Sequence, residues 1–215
     1  MTDMQYIEIF PTAVGSATID RGLTVAEKDF INSYKSDVKE MSGGNFISND
    51  WRVLDHEPLQ NLRSDLELRV NEYFNKVYDP KDEVYVYITA AWVTWTGMNQ
   101  GHHPHNHPNS FLSGTFYIDS GPNDMISYIK PDVLGDDIFI YSETNNIFTT
   151  KSWHMLTPKN NLKIFSSRLK HEVLLKPDDV PRCCLAFNTW FRGKVGADAE
   201  IYAPIERLSI DAWKT

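Results

Sequence analysis

Four of the chain's seven histidines stand within six positions, at residues 102, 103, 105 and 107. His105 and His107 are two residues apart in the stretch PHNHP, so an extended backbone would project both imidazoles to the same side. Two imidazoles on one side of a strand suit a transition-metal ion. A solvated polar loop is the alternative interpretation, and a third ligand is needed to decide between the two.

His171 and Arg182 supply the additional chemistry. His171 precedes a short apolar stretch, and Arg182 opens the next strand-like segment 11 positions further on. An ion held by histidines could chelate one end of a small dicarboxylate while the guanidinium pairs with the carboxylate at its other end. These groups together would hold 2-oxoglutarate. A structural role for His171 and a surface position for Arg182 are the competing interpretations.

Alternation along two of the predicted strands indicates which further side chains share a face with the site. The residues concerned are Ser113, Thr115 and Tyr117 on one strand and Arg182, Cys184, Ala186 and Asn188 on another. Tyr117 and Asn188 are therefore candidates to hydrogen-bond the dicarboxylate, although both could equally be satisfied core groups. Trp92 and Trp95 could line the mouth of the site, but core positions are the more common use of such residues.

Two helices are predicted ahead of a β-rich remainder. Thr24 and Glu27 have the spacing of a capping box, and apolar residues at helical intervals extend the first predicted helix over residues 24–41. Pro58 opens the second predicted helix, residues 58–78, whose apolar residues form one continuous stripe.

Short segments rich in β-branched and aromatic residues, separated by turn residues, predict strands. They are 6–11, 83–95, 111–118, 125–130, 137–142, 146–153, 162–167, 170–176 and 182–191. Two helices followed by about eight strands predict a mainly β fold with N-terminal helices, a double-stranded β-helix of the jelly-roll or cupin-like type. We expect a single domain over 1–215, with a helical support layer over about 24–78 and a jelly-roll core over about 83–192.

The charge, the absence of targeting signals and the cysteines of the sequence bear on which classes of function are expected. The formal net charge of −8 leaves no global basic field for phosphate backbones, which argues against nucleic-acid binding. The sequence shows neither a signal peptide nor a membrane span, and this predicts a cytoplasmic protein. Cys183 and Cys184 are neighbours and should point to opposite faces of a strand, so we expect free thiols.

Two blocks of the sequence resemble a known family. PHNHPNSFLSGTFYID, followed by IFSSRLKHEV and PRCCLAFN, is similar to the 2-oxoglutarate/Fe(II) oxygenases known largely from marine bacteria and their phages. The family pattern is H-x-H-P-x-S-x-L-S-G-x-Y-Y, then F-P-S-x-x-x-H-x-V with P-R-x-S-x-x-F-N, and the opening IEIFPT also fits. The resemblance covers most of the chain and is weakest between residues 120 and 160. It implies a double-stranded β-helix that uses Fe(II), 2-oxoglutarate and O₂.

The resemblance implies a role for each matched position. His105 and His107 take the place of the first ligand pair, His171 that of the distal ligand, and Arg182 that of the cosubstrate anchor. Ser166 stands where the pattern has proline, which changes a turn and removes no ligand.

The ligand set departs from the wider superfamily, in which a carboxylate usually accompanies two histidines. His107 occupies that position here, so three neutral imidazoles would leave the ion's charge uncompensated until the cosubstrate binds. Asp119, Glu172 or His103 could replace one of the three ligands. Glu172 is the weakest of these options because it neighbours His171 and should face the opposite way on a strand.

The sequence therefore predicts a non-haem Fe(II) and 2-oxoglutarate-dependent dioxygenase that hydroxylates a peptide side chain, an amino acid or a small metabolite. A three-histidine cupin-type dioxygenase without 2-oxoglutarate is one alternative. A non-catalytic jelly-roll module for binding or structure is the other. The expected partner is a small-molecule or peptide substrate, without a membrane, and the second helix could support a homodimer.

Overall fold

The computed structural model describes residues 3–131, 143–144, 146–196 and 208–210, the last of these by backbone alone. Two α-helices are present there, α1 (Val25–Ser33) and α2 (Gln60–Tyr78). Three short 3₁₀ turns lie at Tyr34–Ser36, Val53–Asp55 and Glu57–Leu59. The strands are β1 (Val14–Thr18), β2 (Val38–Glu40), β3 (Phe46–Ser48), β4 (Val84–Thr96), β5 (His102–His105), β6 (Leu112–Asp119), β7 (Met125–Ile129), β8 (Ser152–Leu156), β9 (Asn161–Ser166), β10 (His171–Val173), β11 (Arg182–Val195) and β12 (Leu208–Ile210).

Helix α1 begins where the sequence predicts and ends earlier. The Thr24 side chain accepts from the Glu27 backbone N–H, and the Glu27 carboxylate accepts from the Thr24 N–H, which completes the capping box. The helix ends at Ser33, and the predicted continuation to residue 41 is wrong. A 3₁₀ turn follows instead, and Val38–Glu40 becomes strand β2, which pairs with β3. Cross-strand hydrogen bonding overrides the helical spacing of the apolar residues there.

Helix α2 packs one stripe against the main sheet. Its buried residues are Leu62, Leu66, Val70 and Phe74. They share a hydrophobic core with Val86 and Ile88 of β4. Val77, which continues the stripe in the sequence, is 42% exposed because it lies in the last turn, beyond that core.

Two antiparallel sheets form the β-sandwich that the sequence predicts. The larger sheet has the strand order β1-β9-β6-β11-β4-β3-β2, and β12 pairs with β11. The smaller sheet has the order β5-β10-β7-β8. The helices cover one face of the larger sheet, and the smaller sheet covers part of the other. Phe165 of β9 shows the second contact, since its ring lies 5.2 Å from that of Tyr128 and 4.6 Å from that of His171.

Two of the predicted strands are absent or shortened in the structure. Residues 6–11 form no strand and are exposed, and the first strand is Val14–Thr18, which pairs with β9. The predicted strand at 146–153 begins only at Ser152, after a turn. The predicted strand at 137–142 lies outside the described residues. None of the helices in the described chain is long and apolar enough to span a membrane.

Candidate metal and cosubstrate site

Three histidines converge between the two sheets. One ring nitrogen each from His105, His107 and His171 lies within 4.8 Å of those of the other two. The Nε2 atoms of His107 and His171 are 3.3 Å apart. Metal–nitrogen bonds of about 2.1 Å place neighbouring ligand nitrogens about 3.0–3.4 Å apart at octahedral or tetrahedral angles. The spacing of this pair therefore suits one transition-metal ion.

Strand pairing brings these residues together across the chain. His171 of β10 lies opposite His105 of β5 in the antiparallel register. His107 follows β5 and is fixed by its backbone N–H, which donates to the Ser167 carbonyl at 2.9 Å. The sequence-based expectation that His105 and His107 face one side agrees with a 5.1 Å distance between their ring centroids.

Backbone carbonyls set the tautomers of two of the three rings. His105 Nδ1 lies 2.8 Å from the His103 carbonyl oxygen, and His171 Nδ1 lies 3.0 Å from the Leu169 carbonyl oxygen. A carbonyl oxygen can only accept, so both Nδ1 atoms carry the proton and both Nε2 atoms keep a free lone pair. This is the second-sphere arrangement that orients histidine ligands toward a metal.

Burial keeps the histidines neutral, as metal ligands must be. It lowers the pKa of His171 to about 3, partly opposed by the hydrogen bond to Leu169. Burial, with the neighbouring His105, lowers the pKa of His107 to about 4. Burial also lowers the pKa of His105. All three imidazoles are thus neutral at neutral pH, and each can offer a nitrogen lone pair to a metal.

The alternative ligands lie elsewhere. Asp119 is exposed and forms an ion pair with Lys159. Glu172 accepts a hydrogen bond from Ser127 at 3.4 Å, and exposed His103 lies 3.3 Å from the Ser42 hydroxyl. Within the residues described, no carboxylate belongs to the ligand group.

Arg182 lies on the inner face of the larger sheet. It is 3% exposed, and its Nε has no hydrogen-bond partner among the described residues. Tyr117 lies on the neighbouring strand β6, opposite Cys184, and interacts electrostatically with Arg182. Burial raises the pKa of Tyr117 well above its usual range, so its hydroxyl remains protonated. A buried guanidinium with an unpaired N–H, beside a phenol that can donate, fits a carboxylate ligand.

Tyr128 is a site residue that the sequence analysis missed. Its hydroxyl is buried without a partner in the described chain, and its ring centroid lies 6.3 Å from that of His171. It also interacts electrostatically with Tyr117. Tyr128 thus lies near both His171 and Tyr117. In the sequence, a tyrosine within the apolar stretch MISYIK looks like a core residue. Only the pairing of β7 with β10 brings it next to His171.

Asn188 lies on the predicted face, six residues from Arg182 along β11. Its Oδ1 accepts from the Ser113 hydroxyl at 2.8 Å, and Ser113 in turn contacts the Ser167 hydroxyl at 2.8 Å. Six residues of strand span about 20 Å, more than a five-carbon dicarboxylate does. Asn188 and Arg182 therefore belong to opposite ends of the site.

The two tryptophans separate onto opposite faces of β4. Trp92 pairs with Ala186 on the inner face, and its ring centroid is 6.0 Å from that of His107. Trp95 pairs with Cys183 and packs against the core on the helix-covered face. Both cysteines are buried free thiols, as the sequence predicts.

The part of the chain that contains these residues is similar to a known protein family. Residues 90–188 match a family model described as "Putative 2OG-Fe(II) oxygenase". The matched region contains all three histidines and Arg182. The family description names Fe(II) and 2-oxoglutarate. These are the cofactor and cosubstrate expected from the sequence. No curated protein matches the chain.

Solved structures agree on the fold. The non-haem α-ketoglutarate-dependent epimerase SnoN from nogalamycin biosynthesis is 9% identical, with a TM-score of 0.58 over 94% of this chain and 92% of that one. The prolyl hydroxylase of Trichoplax adhaerens, in complex with a hypoxia inducible factor peptide fragment, is 15% identical, with a TM-score of 0.52 over 82% and 83%. HygX from Streptomyces hygroscopicus, with nickel, 2-oxoglutarate and hygromycin B bound, is 10% identical, with a TM-score of 0.52 over 83% and 82%. These similarities confirm the double-stranded β-helix.

Proposed function

We propose that this chain is a non-haem Fe(II)- and 2-oxoglutarate-dependent dioxygenase that hydroxylates a peptide side chain, an amino acid or a small metabolite. One observation carries the proposal: three neutral imidazoles converge on one point, and the buried Arg182 has an unpaired Nε on the inner face of the same sandwich. The first feature suits a divalent transition metal. The second suits the far carboxylate of a short dicarboxylate.

His105, His107 and His171 would hold Fe(II) through one ring nitrogen each. When bound, Fe(II) with 2-oxoglutarate and O₂ would supply the oxidising chemistry by which one oxygen atom enters a substrate C–H bond and the cosubstrate becomes succinate and CO₂. The hydrogen bonds from His105 and His171 to backbone carbonyls keep the two rings oriented throughout.

Arg182 and Tyr117 bind the distal carboxylate of 2-oxoglutarate, the guanidinium through N–H donors and the phenol through its O–H. Tyr128 offers a further hydroxyl between these residues and the histidines. Because the three side chains are buried, their hydrogen bonds to a charged oxygen are stronger than they would be in water.

Asn188 acts at the metal end of the site. Its Oδ1 is held by Ser113, so its amide N–H₂ is oriented to donate to the metal-proximal end of the cosubstrate or to the substrate. The Ser113–Ser167 contact links this amide to the chain segment whose carbonyl holds His107.

The remaining expectations follow from the same function. We expect the protein to act in the cytoplasm on a small-molecule or peptide substrate, and we retain a homodimer as an option. The net charge of −8 argues against a nucleic-acid substrate.

A three-histidine dioxygenase that does not use 2-oxoglutarate is the second candidate. The absence of a carboxylate from the ligand group in the described residues favours it. The buried and unpaired Nε of Arg182 favours the first candidate, since an apolar substrate would leave that donor unsatisfied.

The two candidates differ in what 2-oxoglutarate does to the iron-loaded protein. The purified chain is reconstituted with Fe(II) under anaerobic conditions and titrated with 2-oxoglutarate. The proposed function predicts a weak visible metal-to-ligand absorption, followed by succinate release when O₂ is admitted. His171→Ala should abolish both signals, and His154→Ala, which alters an exposed histidine of β8, should preserve them. Iron binding without absorption or succinate would contradict the proposal and favour the second candidate.

A further inference from the structure

The loop around Trp51 crosses the free edge of β4 next to the histidines. Arg52 forms an isolated parallel bridge with Ala91, and the Ala91 N–H donates to the Trp51 carbonyl at 2.8 Å. Beyond this crossing, Val53 and Leu54 enter the core on the helix-covered face. The loop therefore leaves the Trp51 side chain on the same side of the sheet as the metal site.

Trp51, Trp92 and His107 form a continuous row of rings. The centroids of Trp51 and Trp92 are 4.8 Å apart, and those of Trp92 and His107 are 6.0 Å apart. The Trp51 ring thus lies no more than about 11 Å from the His107 ring. Trp92 is 7% exposed, whereas Trp51 is 49% exposed. About half of the Trp51 side chain is therefore open to solvent beside the site, where a flat apolar group could stack on it.

Hydrogen bonds hold the Trp51 loop in one conformation. The Asp50 side chain accepts from the Arg52 N–H at 2.7 Å and from the Tyr34 hydroxyl at 2.7 Å. The Asp50 carbonyl accepts from the Ser48 hydroxyl at 2.8 Å. Because these contacts fix the backbone on both sides of Trp51, a ligand that stacks on the indole orders little additional chain.

The charged groups beside Trp51 are paired with one another. The Arg52 guanidinium forms an ion pair with Asp55, and the Asp50 carboxylate contacts His56 Nε2 at 2.8 Å. The ring therefore offers an apolar surface next to charges that already have partners. An uncharged group needs no counter-ion to pack there, whereas a charged group would give up water without gaining one.

We propose that Trp51 and Trp92 form the substrate platform of this site and that the substrate presents an uncharged ring to the open face of Trp51. A prolyl ring, a sugar ring and an arene share the required chemistry, a flat face of C–H groups or π electrons. This inference rests on the proposed function, since it assigns the platform to the substrate whose C–H bond is oxidised.

Ring binding can be measured on the full-length purified chain without turnover. The indole N–H resonances of the six tryptophans are recorded by NMR, and Trp51→Phe assigns the Trp51 signal. Three matched pairs serve as probes: N-acetylproline amide with N-acetylvaline amide, methyl glucoside with sorbitol, and benzyl alcohol with hexanol. We expect at least one ring compound to shift the Trp51 resonance and its acyclic partner to leave it unchanged. The pair that responds identifies the kind of ring.

Two variants complete the test. Trp51→Ala should weaken the binding of that ring compound about tenfold or more. Trp153→Ala, which removes an indole of similar exposure from β8, should change it less than about twofold. Equal or tighter binding of the acyclic partners, a shift confined to other tryptophans, or no binding by any ring compound would each overturn the proposal.

The test of the substrate platform and the test of the proposed function can fail independently of each other. The NMR titration requires neither Fe(II) nor O₂, whereas the absorption and succinate measurements require no ring compound. If the absorption fails and the Trp51 resonance still responds, the platform stands and the oxygenase assignment falls. If the absorption appears and only acyclic compounds bind, the platform falls.

Discussion

The Nε2 atoms of His107 and His171 lie 3.3 Å apart although 64 residues separate them in the chain. The His171 ring donates through Nδ1 to the Leu169 carbonyl, so its Nε2 carries a lone pair. Low pKa values near 3 and 4 keep both rings neutral at neutral pH. A divalent cation bound by the two nitrogens would replace their contact with each other, which couples metal binding to the stability of the fold.

Metal binding should raise the melting temperature of this protein. At an Fe(II) concentration of about 100 times its Kd, the linkage adds about 2.7 kcal/mol, which corresponds to about 5–10 °C for a chain of this size. Anaerobic differential scanning fluorimetry measures the shift. His107→Ala and His171→Ala should lose it, and His154→Ala should keep it. A shift of the same size in all variants would place the bound metal elsewhere.

Acid should destabilise the metal-free protein through the same histidines. The folded-state pKa values of about 3 for His171 and about 4 for His107 lie below the ordinary value of about 6.5. Between these values the unfolded chain binds more protons, so stability falls as the pH drops from about 6.5 toward 4. Urea midpoints at pH 7 and pH 4.5 measure the loss. His171→Gln cannot titrate and should show a smaller decrease; an equal decrease would assign the effect to other groups.

Sequence patterns predict those parts of the site that depend on local periodicity. Alternation predicts that Ser113 and Tyr117 share one face of β6 and that Cys184 and Asn188 share one face of β11. The observed pairing of Tyr117 with Cys184 and of Ser113 with Asn188 agrees with this prediction. The capping box at Thr24 likewise depends on only four consecutive residues. These features follow from the geometry of one strand or one helical turn.

Non-local pairing decides the rest. Tyr128 faces the site only because β7 lies beside β10, and Trp51 does so only because its loop crosses the edge of β4. Val38 has helical spacing and yet belongs to a strand, since the partner strand β3 lies nearby. No local pattern carries that information, and therefore sequence analysis missed Tyr128 and extended α1 too far.

Removing the guanidinium of Arg182 should weaken 2-oxoglutarate binding more than it weakens metal binding. Hydrogen bonds to a charged group contribute about 1.5–3 kcal/mol, so Arg182→Met should raise the Kd for 2-oxoglutarate about 10- to 100-fold. Titration of the visible absorption of the Fe(II) protein measures this Kd. Arg168→Met, at an exposed arginine near His171 in the chain, serves as the control and should leave it unchanged. A loss of Fe(II) affinity equal to the loss of cosubstrate affinity would argue for a structural role.

Gly114→Ala should destabilise the sandwich at the strand that carries Tyr117. A Cβ at Gly114 would lie 2.3 Å from the ring of Phe187, which is fully buried on the helix-covered face. Overpacking of this kind costs about 1–3 kcal/mol. Gly97→Ala is the matched change, because its Cβ would lie 3.4 Å from the nearest atom, the Gln100 Oε1. Chemical denaturation should show the larger loss for Gly114→Ala, and equal losses would mean that Phe187 repacks freely.

A buried ion pair lies at the point where the two chain segments that carry the histidines meet. Lys176 Nζ lies 2.9 Å from Asp124 Oδ1, and their side chains are 0% and 1% exposed. The Lys176 backbone N–H donates to the Gln100 carbonyl, and the Lys176 carbonyl accepts from the Asn99 N–H. The residues just before β5 and just after β10 are therefore joined at Lys176.

Lys176→Met should lower the free energy of unfolding by about 3 kcal/mol, because it leaves the Asp124 carboxylate buried without its cation. Lys159→Met removes an exposed ion pair with Asp119 and should cost less than about 1 kcal/mol. Urea denaturation gives both values. Since the backbone hydrogen bonds at residue 176 persist in the variant, its Fe(II) affinity should fall less than tenfold under conditions where it remains folded. Loss of metal binding by folded Lys176→Met would show that the ion pair, and not the backbone pairing of β5 with β10, sets the distance between His105 and His171.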